Sequence, residues 1–201
     1  SFAMGDPVIA VTGATGFLGG FLAAELIRRG RRTVLLTGPG GDPEARVAKL
    51  LDYLEVEPVH PPSVMAADIT RRDLGLNTEN RKHLETAGEV LHCAAVTSFS
   101  RAKEDLLTRV NLHGPTNVLN AASGCRHFHH MSTAYAAGIK TGICLEEPVL
   151  QSKFNNPYEE TKKLAEDSLL RLCSRSNIRL TIYRPSITYG DSATGKALKF
   201  N

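Results

Sequence analysis

Tyr158 and Lys162 lie four residues apart and are the pair in this sequence best suited to acid-base chemistry. In a helix, residues at this spacing lie on one face. A phenol with an ordinary pKa of about 10 is a poor acid or base at neutral pH, but a neighbouring ammonium favours the phenolate. We therefore predict that Lys162 lowers the pKa of Tyr158 and that the pair carries proton chemistry. The alternative is a solvated helix face from which Tyr158 packs on the core.

Thr133 adds a third polar group to this pair. It ends a predicted strand, Phe128 to Thr133. Its hydroxyl could hold a carbonyl oxygen while Tyr158 protonates that oxygen. We predict that these three side chains act together in catalysis.

A glycine-rich turn joins the apolar run Val8 to Val11 to the helical pattern Phe17 to Arg29. Gly13, Gly16 and Gly19 have G-x-x-G-x-x-G spacing. Such glycines permit a tight turn and close helix packing, and they let backbone amides approach a pyrophosphate at the start of a helix. The turn therefore predicts a dinucleotide site rather than a plain tight turn. We expect it to be formed by Gly13, Thr15, Gly16, Phe17, Leu18 and Gly19.

The second predicted strand, Thr33 to Leu36, ends without an acidic residue. An acid at this position usually binds the ribose diol of NAD, so its absence favours a cofactor with a 2′-phosphate. Arg46, at the start of the next helix, is the first candidate to bind that phosphate, and Lys49 is the second. We predict NADPH, with NADH as the weaker alternative. In the competing interpretation, Arg46 is a solvated helix charge.

Strand-like and helix-like segments alternate along the chain, which requires crossover connections and a parallel sheet. The fold class is therefore predicted to be α/β, a doubly wound parallel sheet with ligands at the carboxyl ends of the strands. The predicted strands are Val8–Val11, Thr33–Leu36, Val64–Ala67, Val90–Val96, Phe128–Thr133 and Leu180–Tyr183. The predicted helices are Phe17–Arg29, Pro43–Leu54, Leu106–Ala122 and Tyr158–Arg175.

Length and composition place limits on the class of protein. The 201 residues fit one domain, and a net charge of +3 is too weak to indicate a nucleic-acid partner. The four cysteines are scattered, so we predict no metal site or disulfide framework and a reducing, cytoplasmic location. No apolar run is long enough to span a membrane. We predict that residues 1–3 are an expression scar and that residues 4–201 form one dinucleotide-binding domain.

Two further groups of residues are interpreted as structural. The basic run from Arg28 to Arg32 is typical of a helix end, because cations are favourable at the negative end of a helix dipole. Gly30 would supply the left-handed cap. His92, His129 and His130 have no matched acid or nucleophile in the sequence.

Six motifs, in order, resemble landmarks of the extended branch of the short-chain dehydrogenase/reductase superfamily, from Val8 to Gly195. They are Thr12–Gly19, Asp68–Thr70, His92–Ala95, Asn111–Gly114, Ser132–Ala134 and Tyr183–Ile187. Within that branch, Phe154–Glu159, Gly190–Gly195 and Leu74–Leu76 are most similar to the male-sterility type. This type includes thioester reductase domains of peptide and polyketide synthases, carboxylic acid reductases and fatty acyl-CoA reductases. Members carry a C-terminal substrate lobe, which we expect to be absent or truncated here.

The resemblance implies an NADPH-dependent reductase of acyl thioesters that forms an aldehyde or alcohol. The implied partner is an acyl or peptidyl carrier protein, and the sequence leaves the oligomeric state open. Thr133 and Tyr158 would polarise the thioester carbonyl, while Lys162 would contact the nicotinamide ribose. Relatives usually carry an arginine just after the second strand, where this chain has Thr37-Gly38-Pro39.

The resemblance also implies cofactor contacts after the later strands. Asp68 would reach the adenine amino group, with Ile69 against the ring; alternatively, Asp68 forms a turn. Asn111 either binds backbone to hold its helix or takes part in a proton relay. The remaining implied cofactor contacts are Ala94, Ala95, Pro185, Ser186 and Ile187, with close packing as the alternative for the alanines.

Two other functions remain open at this point. A nucleotide-sugar epimerase or dehydratase shares the turn and the Tyr-Lys pair, but the Asn-Pro-Tyr-Glu context and residues 191–195 argue against it. A catalytically silent dinucleotide sensor would be expected to lose Tyr158 or Lys162, and both are present.

Overall fold

Six parallel strands form one sheet in the computed structural model, which describes residues 5–139, 142–150 and 153–198. The expression scar predicted at residues 1–3 lies outside the described residues. The sheet order is β3-β2-β1-β4-β5-β6, and each neighbouring pair is parallel. This order confirms the predicted doubly wound α/β fold. The strands are β1 (Val8–Thr12), β2 (Thr33–Thr37), β3 (Ser63–Ala66), β4 (Ala87–His92), β5 (His127–Met131) and β6 (Arg179–Tyr183).

Helices cover both faces of this sheet. They are α1 (Phe17–Arg28), α2 (Pro43–Tyr53), α3 (Thr78–Glu85), α4 (Glu104–Leu107), α5 (Gly114–Ala121) and α6 (Pro157–Ser176), with 3₁₀ turns at Arg101–Lys103 and Ala134–Ala137. Two buried clusters separate the layers. One contains side chains of α1 and α2, and the other contains side chains of α3, α5 and α6. The strands are therefore held between two apolar layers, as a parallel sheet requires.

Side chains cap the start of three of these helices. Asp42, Asn77 and Asn156 each accept a hydrogen bond from a backbone N–H in the first turn of α2, α3 and α6 respectively. Helix α1 differs, because its N-cap residue is Gly16 and no side chain caps it. The opposite end of α1 matches the prediction, since Gly30 has a φ of +76° just after the helix.

The structure departs from the predicted elements at three places. Strand β4 ends at His92 rather than Val96, because the following backbone turns toward β1, where the Thr12 hydroxyl accepts hydrogen bonds from the N–H groups of Cys93 and Ala94. Helix α3 was not predicted, since Leu84 is its single buried residue and no apolar period marks it. The predicted helix Leu106–Ala122 is interrupted by a π-helical segment, Thr108–His113.

Among the described residues, no helix combines the length and the apolar character that a membrane span would need.

Candidate functional site

A cleft of about 610 Å³ opens at the carboxyl ends of the strands, above the point where the sheet order reverses between β1 and β4. Ligands of open α/β sheets bind at this position. One end of the cleft is formed by the glycine turn and the ends of β2 and β3. The other end is formed by the residues that follow β4, β5 and β6 together with the first turns of α6. Of the predicted site residues, the cleft is lined by Gly13, Thr15, Gly16, Phe17, Leu18, Arg46, Asp68, Ile69, Ala94, Ala95, Thr133, Tyr158, Lys162, Pro185, Ser186 and Ile187.

The glycine turn brings backbone segments closer together than side chains would permit. Gly13 has a φ of +64°, and a Cβ there would lie 2.8 Å from the nitrogen of Ala94. A Cβ on Gly19 would lie 2.1 Å from the Gly13 carbonyl oxygen. Gly19 therefore packs α1 against the turn and is buried behind the cleft. The start of α1 lines the cleft, and no side chain caps it, because its N-cap residue is Gly16. An uncapped helix start of this kind can bind phosphate.

Arg46 reaches from α2 to the glycine turn. Its Nη2 donates to the Thr15 hydroxyl at 3.0 Å, and its Nη1 donates to the carbonyl oxygens of Gly38 and Gly40 at 3.1 and 3.4 Å. The guanidinium is thus fixed between the end of β2 and the start of α1, rather than extended into solvent. Lys49, the second candidate, is exposed and outside the cleft lining.

Asp68 forms the turn that was one of the two alternatives for it. Its Oδ1 accepts hydrogen bonds from the Thr70 N–H at 3.0 Å and the Thr70 hydroxyl at 2.6 Å, which is a turn-forming pattern. The residue also lines the cleft beside the buried Ile69.

Asn111 is not among the described residues that line the cleft, contrary to the predicted cofactor contact. The π-helical segment turns its buried amide toward the loop after β4. There the Asn111 Oδ1 accepts from the Val96 N–H and the Nδ2 donates to the Val96 carbonyl, each at 2.9 Å. Both ends of the amide are thereby used to hold that loop. This matches the alternative in which Asn111 binds backbone.

Tyr158, Thr133 and Lys162 meet at the end of the cleft remote from Arg46. Asn156 caps α6 and Pro157 occupies its first turn, so the Asn-Pro-Tyr motif sets where the helix begins. Tyr158 shares a side-chain hydrogen bond with Thr133. Lys162 lies one turn further along α6 and donates from Nζ to the Met131 carbonyl at 2.6 Å. All three side chains are less than a tenth exposed.

The predicted effect of Lys162 on the phenol is wrong for this structure. Burial raises the pKa of Tyr158, and the hydrogen bond from Thr133 offsets only part of that rise. Burial also lowers the pKa of Lys162 to about 8. The ammonium is directed at the Met131 carbonyl instead of the phenol. Desolvation therefore outweighs the Thr133 hydrogen bond at Tyr158 and the opposing charges of Cys93 and Glu166 at Lys162.

Two buried histidines lie near Lys162. Burial lowers the pKa of His92 to about 3 and the pKa of His130 well below its ordinary value, with the Lys162 charge as a further cause. The two rings stack with centroids 5.7 Å apart, and His92 Nδ1 hydrogen-bonds to the Thr12 hydroxyl at 2.8 Å. Both imidazoles are therefore neutral packing groups at physiological pH.

His129 lies on the other face of β5, away from the cleft. Its Nε2 is 3.1 Å from Glu89 Oε2 and its Nδ1 is 3.0 Å from the Tyr183 hydroxyl. Candidate ligand atoms of Glu89, His127 and His129 lie within 4.8 Å of one another. Arg31 Nη2 also lies 3.0 Å from Glu89 Oε1, so the carboxylate of this cluster already pairs with a cationic side chain.

Cys93 lines the cleft next to the glycine turn. Desolvation raises the pKa of its thiol to about 12, although the nearby Lys162 charge acts in the opposite direction.

Glu166 links the segments after β5 and β6 at this end of the cleft and was missed by the sequence analysis. It is 1% exposed and accepts hydrogen bonds from the Ser132 hydroxyl at 2.5 Å and from Nε and Nη2 of Arg184 at 3.0 and 2.7 Å. Ser132 precedes Thr133, and Arg184 precedes Pro185. Glu166 follows Lys162 by one helical turn, so extending the four-residue spacing from Tyr158 would have found it.

Replacing Glu166 with Gln is expected to lower the free energy of unfolding by about 3 kcal/mol, because the partly buried Arg184 loses its counter-charge. Urea denaturation measures this change. Glu25→Gln is the matched control: Glu25 pairs with Arg28 and Arg29 on the surface, so its loss should cost less than about 1 kcal/mol. Equal effects of the two substitutions would show that burial does not strengthen the Glu166 pair.

Sequence comparison identifies a family and relatives of this chain. Residues 11–201 match the family described as male sterility protein. The isonitrile lipopeptide synthase of Streptomyces coeruleorubidus is 28% identical over 200 residues, which covers 93% of this chain and 13% of the synthase. Fatty acyl-CoA reductase 1 of Gallus gallus is 32% identical over 145 residues, covering 64% of this chain and 28% of the reductase.

Comparison with solved structures finds chains that share this fold. The terminal R domain from the myxalamid PKS-NRPS biosynthetic pathway superposes with a TM-score of 0.77 at 26% identity, covering 94% of this chain and 52% of that chain. UDP-glucuronic acid 4-epimerase from Bacillus cereus, in complex with NAD, has a TM-score of 0.68 at 23% identity, covering 91% of this chain and 57% of that one. The epimerase therefore shares the fold. This chain spans about half of each of these structures and smaller parts of the two sequence relatives.

Proposed function

Because this chain belongs to the male sterility protein family, we propose that it is the catalytic dinucleotide-binding part of an NADPH-dependent reductase of acyl thioesters. The observation that carries the proposal is the cleft itself. An uncapped helix start and a fixed guanidinium lie at one end, and Tyr158, Thr133 and Lys162 lie at the other. In this proposal residues 4–201 act as one domain.

The residues of the cleft fit a nicotinamide dinucleotide. Gly13 and Gly16 have no side chains, so a pyrophosphate could approach the start of α1, and Asp68 and Ile69 would contact the adenine. The ordered Arg46 guanidinium supports a 2′-phosphate and hence NADPH, with NADH as the weaker alternative. The bound nicotinamide would supply hydride to the carbonyl carbon.

The chain's own side chains would manage the charge that develops on the carbonyl oxygen. Thr133 and Tyr158 hold that oxygen by hydrogen bonds, and Tyr158 gives it a proton. Lys162, with a pKa near 8, is largely an ammonium at neutral pH. It donates to the Met131 carbonyl in this structure, and in the proposal it would contact the nicotinamide ribose and supply a positive charge one helical turn from the phenolate that remains. The protonated adduct expels the thiol and leaves an aldehyde, which a second turnover would convert to an alcohol.

We propose that the acyl group is carried on a phosphopantetheine thiol. Relatives named as an isonitrile lipopeptide synthase and as hybrid PKS-NRPS synthetases support an acyl or peptidyl carrier protein as the partner. Relatives named as fatty acyl-CoA reductases support coenzyme A as the carrier. Both carriers present the same arm to the cleft.

The proposed activity is tested by following NADPH oxidation and thiol release together, with octanoyl-CoA as the probe. One NADPH consumed per thiol is expected for an aldehyde product, and two per thiol for an alcohol. Thiol release without NADPH oxidation, or conversion of a UDP-sugar in place of the thioester, would contradict the proposal.

Replacing Arg46 with Ala is expected to raise the Kd for NADPH by about 10- to 100-fold, because charge-assisted hydrogen bonds to the 2′-phosphate are lost. The Kd for NADH should change by less than about twofold, since NADH lacks that phosphate. Isothermal titration with each dinucleotide measures both values.

Lys49→Ala is the control for this substitution, because Lys49 carries the same charge on α2 but lies outside the cleft lining. A loss of NADH affinity equal to the loss of NADPH affinity would remove Arg46 from phosphate recognition.

A further inference from the structure

The cleft continues past Tyr158 into a mouth lined by exposed aromatic side chains. Phe99 is 60% exposed and Tyr135 is 41% exposed, although both lie beside buried catalytic groups. The Phe99 ring stands edge-on to the Tyr158 ring at 5.5 Å and edge-on to the Tyr135 ring at 6.3 Å. We call Phe99 and Tyr135 the aromatic wall. Large apolar side chains exposed together at a cleft mark a binding surface.

Local structure holds the aromatic wall in place beside the reacting groups. Tyr135 lies two residues after Thr133, and its backbone N–H donates to the Thr133 hydroxyl at 3.3 Å. Phe99 belongs to the loop after β4, which Asn111 fixes through the Val96 backbone. A ligand bound at Tyr158 and Thr133 would therefore have both rings beside it in the cleft.

The charge distribution in the cleft indicates what kind of ligand would contact the aromatic wall. Among the described lining residues, the charged side chains are Arg46 and Asp68 at the dinucleotide end and Lys162 beside Tyr158. The mouth has hydroxyl and apolar side chains, including Leu106 and Val110. A nucleotide diphosphate would lack cationic partners there, whereas an aliphatic chain would bury apolar surface.

We propose that Phe99 and Tyr135 contact the first methylene groups of the acyl chain and so determine which thioesters are reduced. This inference rests on the proposed function and names the substrate-facing part of the same site. Longer aliphatic acyl groups gain contacts with both rings, while an acetyl group ends before it reaches them. The aromatic wall therefore favours chains that extend beyond the carbonyl carbon.

The test compares kcat/KM for octanoyl-CoA and acetyl-CoA in wild type, Phe99→Ala and Tyr135→Ala. Each alanine variant is expected to lower kcat/KM for octanoyl-CoA by about tenfold, the usual effect of one lost apolar contact on discrimination. The value for acetyl-CoA should change by less than about threefold. Isothermal titration of octanoyl-CoA without NADPH should show the same loss as weaker binding.

Two further variants separate recognition from damage to Tyr158. Phe99→Leu keeps an apolar side chain and is expected to recover most of the octanoyl-CoA activity. Leu164→Ala is the control, because Leu164 is 41% exposed on α6 but lies outside the cleft lining. Leu164→Ala should leave kcat/KM unchanged for both octanoyl-CoA and acetyl-CoA.

The possible outcomes distinguish this inference from the proposed function. If wild type reduces thioesters but Phe99→Ala lowers activity equally for both chain lengths, or for neither, the aromatic wall does not select the acyl chain. If wild type reduces no thioester, the proposed function fails, and the inference fails with it.

Discussion

Replacing Tyr158 with Phe is expected to lower kcat for thioester reduction by about 100- to 1,000-fold, the usual effect of removing one hydrogen-bond donor to a developing oxyanion. The ring would stay in place against Phe99, so the change removes only the hydroxyl that hydrogen-bonds to Thr133. The Kd for NADPH should remain within about twofold, because the phosphate contacts are at the far end of the cleft. Single-turnover kinetics and isothermal titration measure the two quantities.

The matched control is Tyr53→Phe. Tyr53 is similarly a helix tyrosine with a hydrogen-bonded hydroxyl, which donates to the Ala197 carbonyl at 3.3 Å, but it lies outside the cleft lining. It should retain full turnover. If Tyr158→Phe also retained full turnover, the phenol would not be the proton donor, and Thr133 would be the next candidate to examine.

Replacing Gly19 with Ala is expected to abolish measurable dinucleotide binding and to lower the free energy of unfolding by about 3 kcal/mol. The added methyl group would sit 2.1 Å from the Gly13 carbonyl oxygen, which is backbone and cannot rotate away. Helix α1 must therefore shift from the turn, and the amides that face the cleft shift with it. Urea denaturation followed by circular dichroism gives the stability change, and titration with NADPH gives the binding change.

Gly38→Ala is the control for this steric argument. Gly38 lines the cleft itself, but a Cβ there would meet nothing within 4 Å among the described residues. Its stability should stay within about 0.5 kcal/mol of wild type. A Gly19→Ala protein as stable as Gly38→Ala would mean that the turn tolerates a wider separation from α1.

Features that depend on neighbours in the chain could be predicted from the sequence. The glycine turn lies between a strand and a helix, and Tyr158 and Lys162 lie one helical turn apart, so both followed from spacing. The alternation of apolar segments predicted the parallel sheet because each crossover leaves a local pattern. The end of β4 was misplaced because contacts with Thr12 and Asn111, both distant in sequence, determine where the strand leaves the sheet.

Features that depend on burial could not be predicted in the same way. Proximity of Lys162 suggested a lowered pKa for Tyr158, but the direction is set by desolvation, which the sequence does not report. The aromatic wall also has no periodic signal, since Phe99 lies in an irregular loop and Tyr135 in a short 3₁₀ turn. Glu166 is a partial exception, because its spacing from Lys162 was visible even though its burial was not.

The raised pKa of Cys93 has a consequence for a cleft that would handle activated acyl groups. An ionised cysteine beside the glycine turn would be a competing nucleophile, able to take the acyl group onto the protein and block the cleft. With a pKa of about 12, the sulfur stays protonated at physiological pH. The desolvation that makes this thiol inert would thereby protect the protein from self-acylation.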